Sequence, residues 1–78
     1  MEMIFSNVHL SEDTSLEDLH KTIMERVPEA AGVGYSYVKR ELLVELPDQF
    51  IEQKDDIAKI IKELYPSAVL KEIFSLNE

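Results

Sequence analysis

Apolar residues follow a helical spacing in two segments of this chain and a strand-like alternation in four others. Intervals of three and four residues place side chains on one face of a helix, whereas alternation places them on one face of a strand. The patterns run in the order strand, helix, strand, strand, helix, strand. The two helical stripes consist of Leu16, Leu19, Ile23 and Val27, and of Ile57, Ile60, Ile61 and Leu64.

Caps and prolines set the boundaries of these segments. Thr14 with Glu17, or Ser15 with Asp18, fits a capping box at the beginning of the first helix. Pro28 ends that helix, because the residue before a proline avoids helical geometry. The predicted strands cover residues 3–10, 33–39, 42–46 and 69–76, and the second helix begins between residues 48 and 55 and ends before Tyr65-Pro66-Ser67.

The order of the segments predicts one α+β domain over residues 1–78, a ferredoxin-like βαββαβ sandwich. Right-handed crossovers place strands one and three in the middle of a four-stranded antiparallel sheet, with both helices on one face. The other face then has no helix over it. In the first strand we expect Ile4, Val8 and Leu10 to share one side. The side chains that we expect on the helix-free face are Phe5, Leu43, Tyr35, Tyr37 and Phe74.

Charge and composition exclude several classes of function. A net charge of −8 disfavours nucleic acid and anionic membrane as partners. Without cysteine the chain has no disulfide, thiolate metal site or cysteine nucleophile, which fits a cytoplasmic location. No apolar run is long enough to span a bilayer. Since a glycine-rich phosphate loop and a catalytic triad are also missing, we expect a non-catalytic domain without a cofactor.

The spacing of Leu16, Leu19 and Ile23 resembles the C-x-x-C-x-x-x-I helix start of heavy-metal-associated domains, found in metallochaperones and metal-transporting P-type ATPases. Gly32-Val33 is similar to the Gly-Val pair that opens the family's second strand, and segments 42–45 and 56–66 resemble its third strand and last helix. The resemblance covers about residues 4–73 and implies the same fold. Segment 28–32 is longer than the Pro-Gly-Val of the family.

The motif that gives this family its function is replaced here. Leu16 and Leu19 stand where the resemblance places the two cysteines, and aliphatic side chains bind no metal. Carriage of soft metal ions depends on thiolates and is therefore not expected. The resemblance implies instead an interaction or regulatory module of a metal-transport system. Its partner would be another protein or a second copy of the chain, bound through the sheet face or an edge strand.

The residues leave open which surface makes these contacts. Leu16 and Leu19 form either a docking patch or part of the core. Periodicity favours the core for Leu19, and Leu16 in the first turn is the better surface candidate. The aromatic residues of the strands either anchor an interface or cover their neighbours within the sheet.

An alternative function is the binding of a harder divalent metal ion, such as zinc, before the first helix. Oxygen and imidazole ligands suit such ions, and Glu17 and His20 share a helix face. The structural alternative is that these acids are ordinary helix caps. A third possibility is a small-ligand regulatory domain with its site between the strands of a dimer. The predicted metal ligands are Glu12, Asp13, Glu17 and His20, with His9 as a further contributor.

Overall fold

The computed structural model describes residues 1–75 and confirms the predicted fold class. The sheet has the order β2-β3-β1-β4, and neighbouring strands are antiparallel. β1 and β3 therefore lie in the middle, as predicted. The strands are β1 (Glu2–Ser6), β2 (Gly32–Ser36), β3 (Glu41–Glu45) and β4 (Val69–Phe74); the helices are α1 (Leu16–Arg26) and α2 (Lys54–Leu64), with a 3₁₀ helix (Asp48–Gln53) before α2.

Both helices cover the same face of the sheet. In the β1–β3 register Met3 lies opposite Val44 and Phe5 opposite Leu42, so these four side chains point to one side. All four are fully buried, in one cluster with the apolar stripes of the helices. The helix residues in this cluster are Leu19 and Ile23 of α1 and Ile57, Ala58 and Ile61 of α2.

The face assigned to Phe5 is wrong. β1 begins at Glu2 and ends at Ser6, and Asn7 follows with φ of 59° in the left-handed region. This break interrupts the alternation, so Val8 enters the core although Ile4 does not share its side of the strand. Phe5 therefore belongs to the core under the helices, and half-buried Ile4 occupies the helix-free face instead.

The prediction for the tyrosines also needs correction. β2 ends at Ser36, and residues 37–40 form a turn in which Arg40 has φ of 57°. Tyr35 lies opposite buried Leu42, so its ring is on the helix side of the sheet. Tyr37 lies beyond the strand and contacts the loop before α1. Neither ring contributes to the helix-free face.

The other boundaries differ from the predictions by a few residues. Ser15 caps α1, because its hydroxyl accepts a hydrogen bond from the N–H of Asp18 at 3.0 Å. α1 ends at Arg26, two residues before Pro28, and β4 ends at Phe74. The predicted end of the last strand, Leu76, lies outside the described residues. No helix within residues 1–75 has the length and apolar character needed to cross a membrane.

Candidate functional site

The helix-free face of the sheet has an apolar centre surrounded by carboxylates. Two rows of side chains cross this face, Gly32–Glu45–Glu2–Phe74 and Gly34–Leu43–Ile4–Glu72, and the pairs Ser36–Glu41 and Ser6–Val69 continue it. We call these residues, with Lys71, the sheet-face surface. Its apolar side chains are Ile4 and Leu43 in the centre and Val69 and Phe74 along β4, the last two about half exposed (49% and 50%).

The predicted placement of Leu43 and Phe74 on the helix-free face is confirmed. Ile4 was missed because β1 was extended past Asn7, which gave Ile4 the same side as Val8. Val69 was missed because a bulge in the β1–β4 register, after Ile4, disturbs the alternation of β4. The carboxylates of this face were missed because Glu2, Glu45 and Glu72 come from three separate strands and only the strand register brings them together.

Small residues leave the centre of this face open on the β2 side. A Cβ atom built at Gly34 would lie 3.7 Å from Leu43 Cδ2, in ordinary van der Waals contact. Because Gly34 has no such atom, the flank of Leu43 stays accessible. A shallow cavity of about 330 Å³ lies here, with Ile4, Leu43 and Gly34 in its floor and Glu2, Glu41 and Lys39 among its walls.

The electrostatic balance of the sheet-face surface is negative. Lys71 Nζ donates to Glu41 Oε2 at 2.6 Å across the face. This hydrogen bond, the charge of Glu41 and the charge of Glu72 raise the pKa of the Lys71 ammonium above its usual value. Glu2, Glu45 and Glu72 form no ion pair within residues 1–75. Three carboxylates are thus left to interact with a bound cationic group.

A second cavity lies between the first turn of α1 and β2. Leu16 is the first residue of α1 and is 58% exposed, whereas Leu19 is 2% exposed and belongs to the core. The periodicity argument is therefore confirmed for both leucines. The cavity has a volume of about 410 Å³, and its apolar lining is formed by Leu10, Leu16, Leu19, Tyr35 and Tyr37.

The two tyrosines attach the loop before α1 to the sheet. The Tyr35 hydroxyl donates to the Val8 carbonyl and accepts from the N–H of Leu10 at 3.3 Å. The Tyr37 hydroxyl donates to the Thr14 carbonyl at 2.8 Å. The two rings meet edge to face with centroids 4.8 Å apart. These polar contacts are internal and give both tyrosines a structural role in holding the loop.

The predicted metal ligands do not converge. Within residues 1–75 no group of three or more histidine, aspartate or glutamate side chains is arranged to hold a metal ion. Glu12, Asp13 and Glu17 are exposed in the loop and first turn, where mutual repulsion keeps carboxylates apart. His9 Nδ1 lies 3.4 Å from an Arg40 guanidinium nitrogen, which disfavours a cation there. His20 is half-buried, and among the described residues its Nε2 has no hydrogen-bond partner.

No family model, curated protein or solved structure matches this chain. The resemblance to heavy-metal-associated domains therefore rests on the sequence pattern. Of the residues that carry it, Leu16 and Leu19 lie in the first turn of α1, and Gly32 is the first residue of β2.

Proposed function

We propose that this chain is a non-catalytic interaction module that binds a protein partner through the sheet-face surface. The observation that carries this proposal is the uncovered apolar centre of the sheet. Ile4 and Leu43 occupy the two central strands, and the half-exposed Val69 and Phe74 lie at the two ends of β4. Exposed apolar side chains with polar residues around them are typical of a protein interface.

The partner that suits this surface is basic at its edge and apolar at its centre. Glu2, Glu45 and Glu72 surround the apolar residues without ion pairs in the described part of the chain. Lysine or arginine side chains of a partner would pair with these carboxylates while its apolar residues cover Ile4 and Leu43. Complementary charge of this kind raises association rates and selects partners.

The sequence resemblance supports a more specific proposal, that the partner belongs to a metal-transport system in the cytoplasm. Leu16 and Leu19 replace the cysteines that the resemblance implies at the beginning of α1. A module of this kind would dock without carrying metal. The module would bring components of the metal-transport system together or regulate them, and it would catalyse no reaction.

Site-specific photo-cross-linking tests the assigned surface in the cells that make the protein. A photoreactive phenylalanine analogue replaces Phe74 on the sheet-face surface, and in a matched protein it replaces Val38, which is 94% exposed in the β2–β3 turn. We expect one defined protein to cross-link from position 74 and not from position 38. The cross-link should weaken when Glu45→Lys is added, because that change removes one of the attracting carboxylates.

The proposed function is contradicted if the same proteins cross-link from both positions with equal yield, or if Glu45→Lys leaves the yield from position 74 unchanged. The cross-linked protein also identifies the biological setting. A component of a metal transporter would support the more specific proposal, and a partner without any relation to metal transport would contradict it.

A further inference from the structure

The two edge strands of the sheet differ in how their open edges are protected. β4 has a bulge in its pairing with β1 and carries Lys71 and Glu72. Bulges and charged residues are the usual features that prevent an edge strand from pairing with another chain. β2 has the sequence Gly-Val-Gly-Tyr-Ser, with regular pairing to β3 and no charged residue or proline. Its edge therefore lacks these protective features.

The backbone groups that β2 directs away from the sheet follow from the hydrogen bonds of β3. The N–H of Leu46 donates to the carbonyl of Met1 at 2.8 Å, which directs the even-numbered residues of β3 toward β1 and the odd-numbered ones toward β2. Odd-numbered β3 residues pair with even-numbered β2 residues. The N–H and C=O groups of Val33 and Tyr35 therefore point away from β3, toward the open edge of the sheet.

We propose that a second copy of this chain pairs with β2 along this edge. In an antiparallel arrangement with Gly34 opposite Gly34 of the second copy, each Val33 lies opposite a Tyr35. Each of these two pairs exchanges both of its N–H and C=O groups, so all four outward groups of each copy are satisfied. The two sheets join into one sheet of eight strands. This inference goes beyond the proposed function, because it uses the outward backbone groups of Val33 and Tyr35, two residues that do not belong to the sheet-face surface.

The side chains of β2 fit this pairing on both faces. On the helix side Val33 meets the aromatic ring of Tyr35, and pairs of β-branched and aromatic residues stabilise neighbouring strands. On the other face Gly34 meets Gly34, and Gly32 meets Ser36, so no large side chain separates the two backbones. Glycine within a strand often marks such a close approach of another backbone.

The charges at the two ends of β2 favour a second copy as the occupant. The Glu45 carboxylate lies beside Gly32 at the beginning of the strand, 3.2 Å from a Cβ atom built there. Lys39 and Arg40 lie in the turn after the end of the strand. Antiparallel pairing brings the beginning of one β2 to the end of the other, so each Glu45 approaches the basic turn of the second copy. The net charge of −8 on each chain opposes association, so the dimer depends on concentration.

Sedimentation equilibrium of the purified full chain, from micromolar to millimolar concentration, tests this pairing. The expected result is a weight-average mass that rises from that of one chain toward that of two. Val33→Pro removes an outward N–H and adds a ring at the edge, without removing a hydrogen bond to β3. We expect it to raise the Kd of the dimer at least about tenfold. Val33→Ala is the matched control, because it shortens the same side chain but keeps the N–H.

A second pair of variants keeps the test decisive if Val33→Pro does not fold. Gly34→Lys and Gly34→Glu each place like charges opposite each other, with Cβ atoms about 5 Å apart. Each variant alone should dimerise more weakly than the wild type, and an equimolar mixture should recover a heterodimer. Thr22→Lys, which adds the same charge at an exposed position of α1, should dimerise as the wild type does.

The proposal is overturned if the wild-type chain stays monomeric at millimolar concentration, which would leave the β2 edge to a segment of another protein. It is also overturned if folded Val33→Pro dimerises as strongly as Val33→Ala, or if mixing the Gly34 variants restores nothing. The proposed partner interaction is separable, because cross-linking from position 74 does not require the outward groups of Val33. Loss of the dimer with retained cross-linking would therefore remove only this inference.

Discussion

Single hydroxyl groups fix the loop that connects β1 to α1. Tyr35 holds Val8 and Leu10 through one oxygen, and Tyr37 holds Thr14. The sequence does not predict these contacts, because strand alternation gives the side of a strand on which a tyrosine lies but not which backbone groups its hydroxyl reaches. The faces expected for them were therefore wrong, and Tyr37, which was predicted within the second strand, lies just after β2.

Tyr35→Phe should reduce the free energy of unfolding by about 1–3 kcal/mol, because the Val8 carbonyl and the Leu10 N–H both lose their partner in a partly buried site. Tyr37→Phe is the control and should cost about 1 kcal/mol or less, because its single hydrogen bond is exposed. Urea unfolding followed by far-UV circular dichroism measures both. Equal costs would contradict the bridging role of Tyr35.

Tyr65, which follows α2, should make stability sensitive to alkaline pH. Burial disfavours the phenolate and raises the pKa of Tyr65 above its usual value of 10.0. The folded state therefore holds this proton more tightly than the unfolded state. The resulting stability is fully present below pH 10 and is lost as the pH rises through the folded pKa.

Tyr65→Phe should accordingly flatten the decline of the thermal midpoint above pH 10, with little effect at neutral pH. Phenolate absorbance during a pH titration reports the ionisation directly. An identical alkaline decline in Tyr65→Phe and wild type would show that another group causes it.

The elements themselves follow closely from periodicity and caps. The Ser15 cap, the end of α1 before Pro28 and the stripe of α2 are all readable in the sequence. Strand ends are less readable, because Asn7 and Arg40 adopt left-handed backbone conformations that apolar alternation does not signal. Asn7 changes the side on which Val8 lies relative to Ile4, so the prediction that grouped Ile4 with Val8 exchanged the faces of Ile4 and Phe5.

Truncation of two neighbouring residues of β1 should reduce the free energy of unfolding by clearly different amounts. Phe5→Ala should reduce the free energy of unfolding by about 3–5 kcal/mol, since the ring is fully buried under the helices. Ile4→Ala should cost only about 1–2 kcal/mol, since its half-buried side chain loses less apolar contact. Cross-linking from position 74 should weaken in Ile4→Ala at temperatures where the variant stays folded. A larger stability loss for Ile4→Ala would contradict the assigned faces.

At the scale of the whole molecule, the arrangement of two helices on one face of a four-stranded sheet leaves the other face open. The order of apolar patterns predicted this arrangement, because a chain with two helices of this connectivity covers only one side. The sequence did not reveal the acidic frame of the open face. Glu2, Glu45 and Glu72 come from three strands and are brought together only by strand register. Conversely, proximity in sequence does not bring Glu12, Asp13, Glu17 and His20 together into a group of metal ligands within residues 1–75.

The central claim is that the partner binds the open sheet face and not the helices. Titration of the ¹⁵N-labelled chain with the protein identified by cross-linking, followed by amide chemical shifts, tests this claim most directly. The account predicts that the largest shifts occur at Ile4 in β1, Leu43 in β3 and Phe74 in β4, while the amides of α2 stay unchanged. Shifts confined to the helices, or to the cavity beside Leu16, would contradict it.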